Sequence, residues 1–142
     1  MRFEKLAVAD MTLEDMEWLK PISSVKKVVF RVMVENLASK KWDLRRLPAP
    51  AVGLAVTYPD EGKLFIYYLH GRGLFGSLNK EDLLQAARDD GLVGVAAETS
   101  NRATLRLLQN VGFEITYTGP FGWCVELQDG QFEEHADAEV EV

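Results

Sequence analysis

The chain has 142 residues, of which 47% are hydrophobic and 27% are charged, values typical of one soluble globular domain. It contains no run of 18 apolar residues and no apolar leader, so we expect no membrane span and a cytoplasmic location. Its only cysteine, Cys124, excludes a disulfide framework. In a strand-like run, this cysteine is interpreted as a small buried hydrophobe, with a nucleophilic role as the alternative.

The net charge of −6 is concentrated at the C-terminal end of the chain. Residues 129–142 contain six acidic side chains and no lysine or arginine, and without them 16 acids balance 16 bases. A neutral body predicts no nucleic-acid partner. We therefore divide the chain into a domain, residues 1–128, and an acidic tail, residues 129–142. We expect the tail to be a solvated end, with a strand-edge guard or a docking segment as alternatives.

The first elements in chain order are a strand and two helices. Loose alternation predicts a strand from about Arg2 to Val8. Thr12, with Asp15 three residues later, matches a capped helix start, and Pro21 ends or kinks that helix. A second helix is predicted from apolar residues at helical spacing, namely Val25, Val28, Val29, Val32, Met33 and Leu37.

The middle of the sequence predicts a connector and a hairpin. Residues 40–51 are interpreted as a connector whose four bases (Lys40, Lys41, Arg45 and Arg46) are solvated or contact a phosphate. Two apolar runs, 51–58 and 63–69, predict strands joined by a turn over Pro59–Gly62.

The second half alternates helices and strands. Asn79 can cap a helix that Gly91 ends, and residues 92–98 form a fully apolar strand typical of a sheet interior. Residues 100–113 predict an amphipathic helix that ends at Gly112, and a last hairpin surrounds Pro120. The order predicts a mixed α/β fold with a central sheet and helices on its faces.

The segment ETSNRATLRLLQNVGFE, residues 98–114, resembles the GNAT superfamily of N-acetyltransferases. Their pattern N-x-x-A-x-x-L-Y-x-x-x-G-F is matched at Asn101, Leu105, Leu107, Gly112 and Phe113. The element order over residues 1 to about 128 also matches. The resemblance implies a GNAT-like mixed central sheet flanked by helices on both faces, and acetyl-CoA as the donor for an amine.

The same family has a pyrophosphate-binding loop, [RQ]-x-x-G-x-[GA], whose backbone N–H groups hold the donor. The stretch HGRGLFG can be aligned with it in two registers, and the candidate cofactor-binding residues are His70, Gly71, Arg72, Gly73, Phe75, Gly76 and Asn101. In one register His70 takes the Arg/Gln position and Gly73 the central glycine, with Phe75 in the last place. In the other, Gly71 replaces the arginine, Leu74 replaces the central glycine, and Gly76 fits the last place.

The family's proton donor is a tyrosine in the L-Y-x-x-x-G-F pattern, and this chain has Leu108 there. Leucine cannot donate a proton, so another group has to protonate the leaving thiolate. Glu98 and Tyr117 are our candidate catalytic residues, while Tyr67, Tyr68 and His70 are further substitutes. Two adjacent tyrosines in a strand are predicted to point to opposite faces of the sheet. No metal site is assigned.

The sequence leaves two main functions and a third interpretation open. One is an acetyl-CoA-dependent N-acetyltransferase that binds an acyl-CoA and acts on a small amine or a protein amine, as a monomer or a homodimer. The other is a catalytically silent GNAT-fold binding or structural protein. It would be similar to small phage-encoded GNAT-like proteins, some of which are packaged in virions, and its partner would be another virion component. A regulatory protein that binds acyl-CoA without turnover is a third interpretation.

Overall fold

A computed structural model of the chain describes residues 3–20, 27–75 and 77–128. Within these ranges a 3-10 turn (Val8–Asp10) precedes the helices α1 (Leu13–Glu17), α2 (Lys27–Ala38), α3 (Lys80–Asp89) and α4 (Arg102–Val111). The strands are β1 (Asp43–Arg46), β2 (Val52–Asp60), β3 (Lys63–Arg72), β4 (Gly94–Thr99), β5 (Glu114–Gly119) and β6 (Gly122–Gln128). None of the helices in these ranges is long and apolar enough to cross a membrane.

The strands form one six-stranded sheet in the order β1-β2-β3-β4-β6-β5. Adjacent strands in this sheet are antiparallel, except for β3 and β4, which are parallel to each other. Val95 of β4 is the register partner of Leu64 of β3, so the predicted strands 63–69 and 92–98 lie side by side. A parallel pair needs a crossover connection, and α3 supplies it.

Helices cover both faces of the sheet, which confirms the predicted fold class. Leu83 of α3 and Leu108 of α4 pack with Val95 and Val125 in the larger apolar cluster. Met33 and Leu37 of α2 pack in a second cluster against the other face, whose strand residues are Leu44, Leu54 and Val56. Val32, predicted on the same helix face, is 41% exposed. The amphipathic face of α2 is thus narrower than its sequence suggests.

Several local predictions are confirmed by the backbone. Thr12 and Asp15 form a capping box at α1, and the Asn79 side chain accepts a hydrogen bond from the Asp82 N–H. Gly112, with φ 123°, follows α4 as predicted, because a left-handed residue there costs glycine little. The break predicted at Pro21, the predicted helix residue Val25 and the tail at 129–142 lie outside the described residues.

Two predictions near the N-terminus are wrong in part. The predicted connector contains β1, in which Arg45 turns into the protein and only Arg46 stays half exposed. The predicted first strand is reduced to one bridge, Lys5 with Arg45. The Leu6 N–H donates to the Leu44 carbonyl and the Arg46 N–H to the Glu4 carbonyl. This segment therefore forms only a brief edge beside β1.

Candidate active site

The candidate site begins with a β-bulge in β3. Val56 of β2 pairs with Tyr68, while the next residue, Thr57, pairs with Ile66, so Tyr67 has no partner across the ladder. An extra residue of this kind bends the strand that contains it. On the other side of β3, pairing with β4 ends at Ile66 and Ala97. Beyond this point the two parallel strands separate and leave a cleft.

The cleft between β3 and β4 has a volume of about 210 Å³. Its walls come from residues 66–69 of β3 and residues 97–99 of β4, and Thr104 and Leu108 of α4 close one side. Leu108 is only 2% exposed. The position where a proton-donating tyrosine was expected thus lines the cleft with an aliphatic side chain.

The bulge also corrects the prediction for the two adjacent tyrosines. Tyr67 and Tyr68 both pack against the α2 side of the sheet, whereas strict alternation would separate them. Leu69 then returns to the side of α3 and α4. Burial raises the pKa of Tyr67 by desolvation and that of Tyr68 to about 12. Both phenols therefore keep their protons at neutral pH.

Three side chains from β3 fasten the end of α1 to the sheet. The Tyr68 hydroxyl donates to the Trp18 carbonyl, and His70 Nδ1 lies 3.1 Å from the same oxygen. The Trp18 and His70 rings meet edge to face, with centroids 5.3 Å apart. The Arg72 guanidinium lies 5.4 Å from the centre of the Trp18 ring. The predicted ligand residues His70 and Arg72 are therefore engaged with Trp18.

The glycine loop starts later than the sequence predicted, because β3 extends to Arg72. A Cβ added at Gly71 would lie 2.4 Å from the Val52 carbonyl oxygen, so this glycine serves strand packing. Gly73 has φ 71°, and a Cβ added there would lie 3.6 Å from its nearest neighbour, the Cα of Ala51. Phe75 is exposed, and Gly76 lies outside the described residues.

Several N–H groups before and within the first turn of α3 are already hydrogen-bonded inside the protein. Within the loop, the N–H groups of Ser77 and Leu78 both donate to the Leu74 carbonyl. The first turn of α3 contains Glu81 and Asp82, whose negative charges oppose a phosphate at that helix end.

Asn101 caps α4 and bonds to two residues that line the cleft, Thr99 and Thr104. Its side chain accepts a hydrogen bond from the Thr104 N–H at 3.1 Å, and its own N–H donates to Thr99 Oγ1. This residue joins the end of β4 to the helix that closes the cleft. Thr104 occupies the alanine position of the GNAT pattern N-x-x-A. This match to a pattern position is the sequence signal that could have identified Thr104 as a lining residue.

The two predicted catalytic residues lie in one row across three strands. Glu98 of β4 is the register partner of Cys124 in β6, and Cys124 is also the partner of Tyr117 in β5. All three line a second cavity of about 580 Å³ beside the β5–β6 hairpin, together with Phe121 and Trp123. Glu98 also lines the β3–β4 cleft. It therefore stands where the two cavities meet.

The negative charge of Glu98 is felt by neighbouring groups. The pKa of the Cys124 thiol is raised by burial and then by the charge of Glu98, and its Sγ lies 3.8 Å from Glu98 Oε1. The pKa of Tyr58 is also raised, by burial and then by the carboxylates of Asp60 and Glu98. Cys124 is half-buried beside a carboxylate, an environment that suppresses its thiolate. Residues 3–20, 27–75 and 77–128 include no group of three side chains placed to hold a metal ion.

The fold is similar to solved acetyltransferases that carry the donor or its product. An acetyltransferase of Bacillus subtilis in complex with CoA has a TM-score of 0.60 at 14% identity, covering 90% of this chain and 98% of that one. The N-acetyltransferase PseH of Campylobacter jejuni with acetyl-CoA gives 0.59 and 14%, covering 89% and 98%. A GNAT acetyltransferase of Elizabethkingia anophelis with acetyl-CoA gives 0.60 and 15%, covering 89% and 96%.

Comparison of the sequence itself finds no such similarity. No family profile matches the chain. No curated protein matches it either. At these identities the structural likeness shows the fold, and the geometry of the two cavities has to carry any functional argument.

Proposed function

We propose that this chain, which has the GNAT fold, is an N-acetyltransferase that transfers an acetyl group from acetyl-CoA to an amine. The observation that carries the proposal is the cleft that opens where the β3 bulge ends pairing with β4. The similar structures from Bacillus subtilis and Elizabethkingia anophelis contain CoA or acetyl-CoA, which supports a thioester donor for this chain as well.

The cleft fits the narrow part of such a donor. Its volume of about 210 Å³ is below the roughly 300 Å³ at which drug-sized ligand sites begin, so it suits a thin acyl-pantetheine arm and leaves the nucleotide outside. We propose Gly73, Phe75 and Gly76 for the pyrophosphate, because Gly73 has an open, positive-φ backbone. The residues before the loop support it. His70 and Arg72 contact Trp18, and Gly71 packs closely against β2.

In the proposed reaction the amine nitrogen attacks the thioester carbonyl, a C–N bond forms and the C–S bond breaks. The ammonium has to lose a proton before attack, and Glu98, which lines both cavities, accepts it directly or through water. The thiolate that leaves is protonated by water or by Tyr67, a residue that lines the cleft. Tyr117 holds the amine beside Glu98. Most of the rate comes from holding the two reactants together.

A titration with acetyl-CoA tests the proposal. Wild type should gain about 2.7 kcal/mol of stability at a ligand concentration of a hundredfold Kd, read as a rise in melting temperature. Thr104→Trp fills the cleft from α4 and should remove that gain. Its matched control, Ala103→Trp, changes the neighbouring exposed residue and should retain it. No shift of the wild type at millimolar acetyl-CoA would overturn the proposal.

A silent GNAT-fold protein is the second candidate, and three observations favour it. Leu108 replaces the expected proton donor, Glu81 and Asp82 occupy the first turn of α3, and the loop uses the Ser77 and Leu78 N–H groups itself. If acetyl-CoA stabilises the wild type but neither small amines nor lysine peptides are acetylated, a binding protein is indicated. If nothing is bound, a structural role such as a phage virion component is favoured.

A further inference from the structure

The larger cavity has the size of a ligand site in its own right. Its volume is about 580 Å³, within the range of roughly 300–1,000 Å³ that small-molecule sites occupy. It lies at the end of β4 against the β5–β6 hairpin and shares Glu98 and Thr99 with the cleft. A molecule bound in this cavity would thus reach the same carboxylate as one bound in the cleft.

The charge of this cavity comes from one group. Among the described residues that line it, Glu98 is the only charged side chain. No lysine or arginine of the described lining balances it. The contact of Glu98 with Cys124 Sγ is a weak thiol hydrogen bond. A single carboxylate in such surroundings favours a ligand with one positive charge over an anion or a polycation.

The rest of the lining includes three aromatic residues, Tyr117, Phe121 and Trp123, which lie beside glycines. A Cβ at Gly119 would lie 2.7 Å from Tyr117 Cε1, so the Tyr117 ring lies across that glycine. Gly122, with φ 143°, packs its Cα face against the Thr99 carbonyl, which a Cβ would approach to 2.4 Å. Phe121, at the turn between them, is 92% exposed. The lining therefore offers ring faces to a flat apolar body.

We infer that this cavity receives the acceptor as a small primary amine with one positive charge on an aromatic or similarly flat apolar body. The ammonium is held by Glu98, and Tyr117 and Phe121 flank the body. This inference rests on the proposed function, because it makes the bound amine the acceptor of the acetyl group. The same lining disfavours polyamines, which bring additional charges, and acidic peptides.

Alkylation of Cys124 reads occupancy of the cavity without any donor. The chain has one cysteine and it lines the cavity, so iodoacetamide labelling followed by intact mass reports one site. Phenethylamine should slow the labelling of Cys124 until the cavity is saturated. Glu98→Gln should raise the phenethylamine concentration that gives half-maximal protection by about tenfold or more, as expected for a lost charged hydrogen bond. Glu114→Gln, on the edge strand β5 and outside the lining, is the control and should change little.

Two other probes test the chemical class. 2-Phenylethanol has the same body without the charge and should be insensitive to Glu98→Gln, and spermidine should protect only at much higher concentration. Better protection by spermidine, or an unchanged phenethylamine response in Glu98→Gln, would overturn the inference. Acetylation separates it from the proposed function. If acetyl-CoA is bound and spermidine is acetylated faster than phenethylamine, only the inference fails; if phenethylamine protects but acetyl-CoA never binds, the proposed function fails.

Discussion

The Cys124 thiol lies 3.8 Å from the Glu98 carboxylate, and the two residues are register partners across β4 and β6. The pKa of Cys124 is raised by burial, by the charge of Glu98 and by the hydrogen bond that the thiol donates to it. All three effects stabilise the neutral thiol relative to the thiolate. The pair is thus a local reporter of the charge at the centre of the candidate site.

Replacing Glu98 with glutamine should make Cys124 more reactive in the ligand-free protein. The lost charge and the weaker acceptor lower the thiol pKa. Alkylation below that pKa should then accelerate by about threefold for each half unit of decrease. The measurement is the rate of iodoacetamide labelling as a function of pH, with Glu114→Gln as the control. A rate that is unchanged at every pH would show that Glu98 does not influence the thiol.

Replacing the two glycines Gly71 and Gly73 with alanine should lower the free energy of unfolding by different amounts. Gly71→Ala places a Cβ 2.4 Å from the Val52 carbonyl oxygen, and overpacking of this kind costs about 1–3 kcal/mol or more. Gly73→Ala meets no atom closer than 3.6 Å and pays only for its φ of 71°, about 1 kcal/mol. Urea unfolding of both variants checks the order. A larger loss at Gly73 would mean that the loop is clamped more tightly than its open surroundings indicate.

The sequence predicts the helices and the central strands well because their signals are local. Asn79 caps the helix that it was expected to begin, and Gly112 follows α4 as expected. The apolar strand β4 was identifiable from its composition, and it lies inside the sheet between β3 and β6. The GNAT-like order of elements then follows from the predicted strands and helices taken together.

The details of the site depend on contacts that are distant in sequence. The bulge at Tyr67 is a difference in register between β2 and β3, which no pattern within β3 reveals. His70 and Arg72 were predicted from their position beside glycines, but Trp18, about 50 residues earlier, engages both. Arg45 was expected in a solvated connector because its partners, Thr57 and Asp90, lie far along the chain.

Arg45 should be far more important for stability than its neighbour Arg46. Its guanidinium is buried and donates to Thr57 Oγ1, the Phe3 carbonyl and the Asp90 carboxylate. Arg45→Met should cost about 3 kcal/mol, as removal of one partner of a buried pair does. Arg46→Met removes a half-exposed pair with Asp15 and should cost about 1 kcal/mol or less. Urea midpoints of the two variants give the comparison, and equal losses would contradict it.

Residues 1–128 should fold without the acidic tail. Strand β6 ends at Gln128, and the sequence up to that residue has balanced charge. We propose that deletion from Asp129 onward leaves the melting temperature unchanged within about one degree, because residues 129–142 hold six acids and few apolar side chains that a core could bury. Differential scanning calorimetry of both lengths is the test. A fall of several degrees would show that the tail packs on the domain.

Asp15 should give the protein a specific sensitivity to acid. Burial alone raises the pKa of this carboxyl, but hydrogen bonds from Arg46 and Thr12 and the charge of Arg46 outweigh burial, so its pKa is below the usual 3.8. A depressed folded-state pKa contributes stability that is present above the unfolded value and is lost as pH falls through the folded value.

Asp15→Asn should therefore lower the free energy of unfolding at neutral pH by about 1 kcal/mol or more, because it breaks the ion pair with Arg46 and weakens the cap of α1. Below the folded pKa of Asp15 the wild-type carboxyl is protonated and also lacks the ion pair. The two proteins should then approach equal stability at a pH well below the usual 3.8 of an aspartate. Urea unfolding at both pH values measures the difference. A gap that stays constant with pH would assign the effect of Asp15 to helix capping alone.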